Sequence, residues 1–270
     1  MSSITIVGGN GFLGRKICEV GVRLGWSVTS LSRSGRPPKP ITYSDNSWIS
    51  QVDWQKADLF QKDSYKEHIS GRTAVVHSVG ILFEDIDYKT SINLNFNFLQ
   101  DVQRLANIAR GPNPMARGST TSYDAIQRDL AVFLADAFLE QASNSQDSPK
   151  PAFVYISADS KPPVVPEGYI ISKREAEFEL SCKKGLRAIL MRPGFMYDAG
   201  EPVTNNRRLL GGLVSLGYST KEAIFADKVS AFNKLLRPPV STEQVAESIY
   251  EKLQDQSFEG VVSLEDIRGQ

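Results

Sequence analysis

The amino-acid sequence predicts an α/β protein built on a doubly wound parallel sheet with a small C-terminal cap. Two observations lead to this prediction. A glycine-rich turn joins a strand-like and a helix-like segment near the start of the chain, and short apolar runs then alternate with amphipathic stretches. Strands that alternate with helices form right-handed βαβ units, the building blocks of the Rossmann fold. We therefore expect one Rossmann-type domain over residues 1–270, with residues 198–239 forming a cap before the last helix and strand.

The first strand–turn–helix–strand unit lies within the first 40 residues. A β-branched run at 4–7 predicts a strand, and apolar residues recur at helical spacing from 12 to 24. A second strand follows at 27–31. Residues 35–40 contain three prolines, which cannot sit inside a β-ladder, so we expect a loop there.

The alternation of strands and helices continues along the chain. Short apolar runs at 74–77, 153–156 and 188–191 are typical of strands buried in parallel sheets. Apolar stripes at 126–138 and 175–180 predict two helices between the later strands.

Two stretches break this rhythm. Residues 108–122 form a turn-rich loop to which we assign no role. The amphipathic segment 205–236, within the expected cap, has two interpretations. It is a surface for a protein partner or for peripheral membrane contact, or it is a lid packed over the protein's own substrate cleft.

The composition excludes several classes of protein. The 270 residues include 31 basic and 31 acidic side chains, two cysteines and two histidines. Zero net charge offers no general attraction for a phosphodiester backbone, so we expect no nucleic-acid partner. The cysteines and histidines lack zinc-like spacing, so we expect no metal site. No apolar run reaches the length of about 18 residues that a transmembrane helix needs.

The glycine loop, residues 8–14, predicts a dinucleotide-binding turn. Its first glycine permits the sharp turn, the middle one lets a pyrophosphate approach the backbone, and the last lets helix and strand pack closely. Anionic oxygens would lie at the positive end of the following helix. The predicted cofactor contacts in this loop are Gly8, Asn10, Gly11, Phe12, Leu13 and Gly14.

The end of the second strand indicates which dinucleotide is bound. NAD-binding folds usually carry an acidic residue there, which binds the ribose 2′-hydroxyl. This chain instead has Ser32, Arg33 and Ser34. A guanidinium flanked by hydroxyls suits a 2′-phosphate, so we predict NADP(H), with Arg15 assisting. The alternative is that Arg33 is an ordinary solvated arginine.

Two further segments are predicted to line the cofactor. Asp58 and Leu59 follow the stretch after the proline-rich loop, where Asp58 is placed to meet the adenine amino group. Ser78, Val79 and Gly80 follow the strand at 74–77 and are expected beside the cofactor.

A serine, a tyrosine and a lysine form a candidate catalytic set. Ser157 closes a predicted strand, and Tyr169 and Lys173 follow at a spacing of four, on one face of a helix. An ammonium near the phenol would lower its pKa from about 10, which suits a general acid or base. Ser157 would polarise a substrate carbonyl. The alternative is a solvated helix face, on which such pairs often occur by chance.

These residues together resemble the short-chain dehydrogenase/reductase superfamily. The glycine loop is most similar to that of the atypical branch, which contains the nucleotide-binding accessory subunit of respiratory complex I. The resemblance implies a Rossmann fold, a nicotinamide cofactor, and cofactor contacts from Pro193 and Gly194. It covers most of the chain and rests on residues 8–14, Asp58, Leu59, Ser157, residues 169–173, Arg192, Pro193, Gly194 and residues 239–246.

A narrower resemblance is to a fungal mitochondrial family linked to coenzyme Q (ubiquinone) biosynthesis. It implies protein partners in a biosynthetic complex on the matrix side of the inner mitochondrial membrane. No presequence precedes the first strand, so this location would require an internal signal. The arginine-bearing loop 108–122 departs from the family pattern. The matching segments are 32–35, 111–114, 155–159, 169–177 and 192–196.

Three functions remain open from the sequence. The first is an NADP-dependent carbonyl/hydroxyl oxidoreductase acting in coenzyme Q biosynthesis. The second is a non-catalytic cofactor-binding subunit that stabilises or regulates a membrane-associated coenzyme Q biosynthetic complex, because atypical members often keep the cofactor without turnover. The third is an epimerase or dehydratase of nucleotide sugars, for which the short cap leaves little room.

Overall fold

Seven parallel strands form the central sheet. The computed structural model describes residues 2–40, 46–80, 122–142, 149–161, 165–199 and 237–269. Across the sheet the strand order is β3-β2-β1-β4-β5-β6-β9, and β7 pairs with β8 in a separate parallel ribbon. In chain order the strands are β1 (Ser3–Val7), β2 (Ser27–Ser32), β3 (Asp53–Lys56), β4 (Ala74–His77), β5 (Ala152–Ile156), β6 (Arg187–Met191), β7 (Met196–Tyr197), β8 (Val240–Ser241) and β9 (Gly260–Val262).

This strand order confirms the predicted doubly wound sheet. From β1 the chain runs outward to β2 and β3, then crosses back to place β4, β5 and β6 on the other side of β1. Such a reversal creates a crevice at the carboxyl ends of the strands, between β1 and β4, where ligands of open α/β sheets bind.

Helices cover both faces of the sheet. Short 3₁₀ turns occupy Ser47–Gln51 and Lys62–Ser64, and a π-helical turn, Asp124–Asp129, leads directly into the third helix. The α-helices are α1 (Gly14–Arg23), α2 (Lys66–Ile69), α3 (Leu130–Ala142), α4 (Glu167–Ser181), α5 (Thr242–Gln254) and α6 (Leu264–Arg268).

Alternate side chains of each strand enter two separate cores. On one face Ile4 and Ile6 of β1 pack with α1, α5 and α6. On the other face Val7 of β1 and Val75 of β4 pack with α2, α3 and α4. Strands buried on both faces tend to carry apolar runs, and the boundaries of β4, β5 and β6 were predicted to within one residue.

Three described strands escaped the sequence prediction: β3, and the two short strands β7 and β8 of the separate ribbon. Strand β3 lies at the edge of the sheet, and its sequence, Asp-Trp-Gln-Lys, is polar because one side of the strand has no neighbour. Edge strands commonly carry charged side chains. Its sequence therefore resembles that of a loop.

Several expectations fall on residues that lie outside the described ones. Of the turn-rich loop 108–122, Ser122 alone is described, and of the cap 198–239 only its two flanks, 198–199 and 237–239, are. The amphipathic segment 205–236 lies wholly outside. Within the six described ranges, no helix is long and apolar enough to cross a membrane, and no three acidic, histidine or cysteine side chains are grouped to hold a metal ion.

The glycine loop brings two stretches of backbone into close contact. A Cβ atom on Gly14 would lie 2.1 Å from the carbonyl oxygen of Gly8, which is backbone and cannot rotate away. Gly8 itself adopts φ +85°, a left-handed conformation that glycine tolerates best. Helix α1 can therefore begin directly against β1 only because position 14 has no side chain.

We predict that Gly14→Ala lowers the free energy of unfolding by on the order of 3 kcal/mol or more, because the methyl group would overlap a buried carbonyl. Urea denaturation measures this change. The matched control is Gly71→Ala, since Gly71 has φ +66° and no atom within 4 Å of an added Cβ. That substitution should cost only the backbone strain of about 1–2 kcal/mol. Equal losses for the two variants would refute the close contact.

Candidate functional site

The residues predicted to bind cofactor or to catalyse lie along one edge of the sheet. Because all seven strands are parallel, the segments that follow them emerge at the same carboxyl edge. Gly8 follows β1, Ser78 follows β4 and Ser157 follows β5. We call this edge, with the glycine loop and the first turns of α4, the candidate site.

The glycine loop is braced by its neighbours on both sides. The amide of Gly8 donates to the Leu31 carbonyl at 2.8 Å, and the amide of Gly11 donates to the Gly8 carbonyl at 2.9 Å. A Cβ on Gly8 would lie 3.0 Å from Ser78 Oγ and 3.1 Å from Val79 Cγ2. The loop and the segment after β4 thus form one cradle that side chains would fill.

The turn after β2 is tied to the glycine loop by polar side chains. Asn10 Nδ2 donates to Ser34 Oγ at 3.3 Å, and the Gly35 amide donates to Ser32 Oγ at 3.1 Å. Arg33 lies between these anchored serines, and its side chain is exposed. Within the described part of the chain, no hydrogen bond or ion pair engages the Arg33 guanidinium. The turn therefore presents a positive charge beside the cradle.

Asp58 anchors the turn that follows β3. Its Oδ1 accepts from the Phe60 amide and its Oδ2 from Gln61 Nε2, each at 3.1 Å. Its amide donates to Ser64 Oγ at 2.9 Å. These bonds account for an aspartate here on structural grounds, and Leu59 packs beside the core under α3. Contact of the pair with adenine stays a prediction.

Arg15 has a partner that the sequence did not suggest. Its Nη2 donates to Asp198 Oδ2 at 2.9 Å, and its guanidinium carbon lies 6.0 Å from the centre of the Phe12 ring. The Asp198 side chain is only 4% exposed, so the ion pair is partly buried. The two residues are 183 positions apart, a separation at which no local pattern signals a contact. Assistance of Arg15 to a phosphate stays a prediction.

Tyr169 and Lys173 meet on one face of α4, as their spacing predicted. Lys173 Nζ lies 5.5 Å from the centre of the Tyr169 ring and 5.3 Å from that of Tyr155. It donates a 2.8 Å hydrogen bond to the Ile156 carbonyl at the end of β5. Tyr169 is half-buried and stands edge-on to Tyr123, with ring centres 6.1 Å apart. The lysine is therefore fixed between the sheet and the tyrosine.

Burial changes the acidity of the lysine. Lys173 is 4% exposed, and loss of water around its ammonium lowers the pKa to about 7, with Glu177 opposing the shift and Arg174 adding to it. A group with this pKa is partly deprotonated at neutral pH. It can take up or release a proton under physiological conditions, which an exposed lysine cannot.

A buried histidine lies at the carboxyl end of β4, beside Tyr155. His77 ends β4, is fully buried, and lies with its ring centre 5.8 Å from that of Tyr155. Neither ring nitrogen has a hydrogen-bond partner in the described part of the chain. Burial, aided by the charge of Lys173, lowers the pKa of His77 to about 3, so the imidazole is neutral. The Tyr155 hydroxyl donates to the Gln127 carbonyl at 2.7 Å, within the π-helical turn.

Ser157 sits in a network of charged residues that sequence reasoning missed. Its side chain is buried, and its Oγ accepts from Arg174 Nη1 at 3.1 Å. Glu177, also buried, accepts from both Arg174 and Arg192. A carboxylate four residues after Lys173 on the inner face of α4 was the available signal, because an acidic side chain on a buried helix face requires a cationic partner.

The segment after β6 connects this network to the rest of the edge. The Pro193 carbonyl accepts from the Asp159 amide at 2.9 Å. A Cβ on Gly194 would lie 3.1 Å from the Pro238 carbonyl oxygen and 3.3 Å from Leu264. This close packing accounts for a glycine at position 194. Contacts of Pro193 and Gly194 with a cofactor stay predictions.

Known proteins resemble this chain at two levels. No protein-family model matches it. MIOREX complex component 2 of Saccharomyces cerevisiae is 38% identical over 271 residues, which cover 98% of each chain. The UDP-glucose 4-epimerase of Thermus thermophilus, in complex with NAD, has a TM-score of 0.56 at 17% identity and covers 97% of this chain and 77% of its own. Aldohexose dehydrogenase of Thermoplasma acidophilum has a TM-score of 0.56 at 15% identity, with coverage of 97% and 91%. These two structures show the fold alone.

We predict that Lys173→Met raises the free energy of unfolding near pH 6 and that this gain shrinks as the pH approaches 10. The unfolded lysine has a pKa of about 10.4, whereas the folded one titrates near 7. Between these values the unfolded chain binds more protons, so the stability of the wild type rises with pH. The rise is on the order of 3 kcal/mol and is absent from the variant. Urea denaturation across this pH range, without cofactor, measures the difference.

The matched control is Lys150→Met, since the Lys150 side chain is 57% exposed and pairs with Glu259 at the surface. It should alter stability little at any pH in the range. A difference between wild type and Lys173→Met that does not change with pH would show that the lysine titrates like an exposed one.

Proposed function

The chain belongs to one family with yeast MIOREX complex component 2. From this premise we propose that it is an atypical member of the short-chain dehydrogenase/reductase superfamily, binds NADP(H) and performs carbonyl/hydroxyl oxidoreduction. The observation that carries the proposal is the glycine loop, where Gly14 approaches the Gly8 carbonyl too closely for any side chain. A backbone turn of this kind, opening a helix at the carboxyl edge of a parallel sheet, is suited to a pyrophosphate.

The residues around the glycine loop fit a dinucleotide. The amide groups at the start of α1 would donate to the pyrophosphate, and Ser78 and Val79 border the cradle opposite Gly8. The exposed guanidinium of Arg33 has no partner in the described residues and would pair with a 2′-phosphate. This unengaged positive charge supports NADP(H) over NAD(H).

The catalytic proposal assigns a role to each member of the serine, tyrosine and lysine set. A nicotinamide cofactor held at the glycine loop would provide the hydride. Tyr169 would hold the proton that a substrate oxygen takes up, and Ser157 would donate a hydrogen bond to that oxygen. Lys173 uses one ammonium hydrogen for the Ile156 carbonyl. Its remaining hydrogens are available for the ribose and for lowering the pKa of the Tyr169 phenol.

A second candidate function is favoured by the yeast relative, whose name describes it as a component of the MIOREX complex. The chain would then serve as a cofactor-binding subunit that stabilises or regulates a membrane-associated complex of coenzyme Q biosynthesis. The family resemblance supports a mitochondrial location, on the matrix side of the inner membrane. Segment 205–236 would supply the contact with partner or membrane.

Nucleotide-sugar epimerisation is the weakest of the three functions. Its structural support is a likeness to epimerases at 17–18% identity. Likeness at this level indicates a shared sheet, and the same sheet occurs in the dehydrogenase from Thermoplasma acidophilum.

We expect Arg33→Ala to weaken the binding of NADPH by roughly 10-fold to 100-fold and to leave NADH binding nearly unchanged, because a charge-assisted contact to the 2′-phosphate contributes about 1.5–3 kcal/mol. Isothermal titration of both nucleotides into wild type and variant measures this. Arg36→Ala is the matched control, since Arg36 is an exposed arginine three residues away. Equal losses of NADPH and NADH affinity would show that Arg33 does not recognise the 2′-phosphate.

Tyr169→Phe separates catalysis from a structural use of the cofactor. If the chain turns over, this variant should bind NADPH as tightly as wild type and yet lose at least about 100-fold in the rate of NADPH oxidation with a quinone or aromatic aldehyde. Stopped-flow absorbance of NADPH reports the rate. Tyr123→Phe is the control, because Tyr123 contacts Tyr169 edge-on and is not assigned a proton. Complementation by Tyr169→Phe of a strain that lacks the gene would favour the non-catalytic subunit.

A further inference from the structure

Arg174 holds the segment that follows β5 through three hydrogen bonds. Its Nη1 donates to Ser157 Oγ at 3.1 Å, and its Nη2 donates to the carbonyls of Ala158 and Asp159 at 2.8 and 2.9 Å. The guanidinium group is planar and rigid, so these contacts fix both the hydroxyl and the backbone beside it. The candidate catalytic set predicted from the sequence, a serine, a tyrosine and a lysine, did not include this arginine.

The direction of the Ser157 hydrogen bond has a chemical consequence. A serine hydroxyl has one hydrogen and two lone pairs, whereas a guanidinium has donors only. Because Oγ accepts from Arg174, its own hydrogen cannot be given to that neighbour. The hydroxyl must donate elsewhere, and a charged donor on its oxygen makes it a better donor. Ser157 is thus prepared to donate to a substrate oxygen.

The charges around Ser157 favour negative charge on that oxygen. Glu177 lies between Arg174 and Arg192, so two guanidinium groups share one buried carboxylate and leave one net positive charge. In its ammonium form, Lys173 adds a further positive charge at the Ile156 carbonyl, one residue from Ser157. Asp159, two residues after Ser157, has its carboxylate engaged by Arg237. The environment of the Ser157 hydroxyl is therefore electropositive.

We propose that Arg174 is a positioning residue that holds Ser157 as a hydrogen-bond donor and, through it, stabilises a developing oxyanion, so that the site selects carbonyl compounds such as ketones and quinones. This inference rests on the proposed function. The carbonyl carbon accepts hydride, its π-electron pair moves to oxygen, and the oxygen takes a proton from Tyr169, with oxidation of NADPH to NADP⁺. Positive charge behind Ser157 lowers the energy of the negative oxygen that forms in this step.

A thiol placed at position 157 reports this charge without substrate or cofactor. Ser157→Cys is made in a Cys182→Ser background, so that buried Cys18 is the one other thiol. The thiolate is titrated by its ultraviolet absorbance. The reference is the same protein with serine at 157. A neighbouring arginine lowers the pKa of a thiol. We expect Arg174→Met to raise the thiol pKa by about one unit, a tenfold loss of thiolate. Arg174→Lys, which keeps the charge, should restore most of the shift.

Two further variants separate charge from packing. Arg174→Gln retains amide donors for the carbonyls of Ala158 and Asp159 but lacks the charge, so it should behave like Arg174→Met. The matched control is Arg128→Met, which removes a guanidinium that pairs with Glu175 on the outer face of α4. It should leave the thiol pKa unchanged. A thiol pKa that is the same with arginine, methionine and glutamine at 174, or that moves equally in Arg128→Met, overturns the assignment.

The effect of Arg174 on catalysis is tested separately, by measuring turnover in protein that keeps Ser157. With NADPH and a soluble quinone, Arg174→Met should lower kcat about 10-fold to 100-fold and leave KM for NADPH unchanged, and Arg174→Lys should recover part of the loss. An unchanged kcat in Arg174→Met overturns its role in catalysis. Absence of turnover in the wild type would refute the proposed oxidoreductase, while the thiol titration still decides whether Arg174 acts on position 157.

Discussion

The contact between Gly14 and the Gly8 carbonyl is the constraint on which the rest of the molecule depends. Because position 14 has no side chain, α1 begins directly against the end of β1 and its amide groups open toward the carboxyl edge of the sheet. The segment after β4 lies against Gly8, and Asn10 links the loop to Ser34 after β2. Three strand ends therefore meet around one turn of backbone, at the reversal point of the strand order.

The other half of the candidate site is organised by a buried carboxylate that two arginines share. Glu177 lies under two arginines, Arg174 and Arg192, and is only 5% exposed. An unpaired carboxylate in this position would be strongly destabilising, and the two guanidinium groups that share Glu177 keep it paired. Lys173 stays in an apolar environment between two aromatic rings and loses basicity as a result. Stability and reactivity at this edge thus have a common electrostatic cause.

Local patterns in the sequence were sufficient to predict the sheet, the glycine loop and the placement of Tyr169 and Lys173 on one helix face. Strands such as β5, buried on both sides, carry uninterrupted apolar runs, whereas β3 is polar because it lies at an edge. The pairing of Arg15 with Asp198 and of Arg192 with Glu177 joins residues that only the folded chain brings together. Arg174 could not be recognised either, because its relation to Ser157 depends on how α4 packs against β5.

The glycine loop and the turn at Arg33 together form the site at which we propose that an NADP-type dinucleotide binds. Mass spectrometry of the nucleotide released from the full chain, purified under native conditions and then soaked with an equimolar mixture of NADPH and NADH, tests it directly. The structure predicts that about one equivalent of nucleotide is retained and that NADPH predominates. Retention of neither nucleotide, or of NADH in preference to NADPH, would contradict the account.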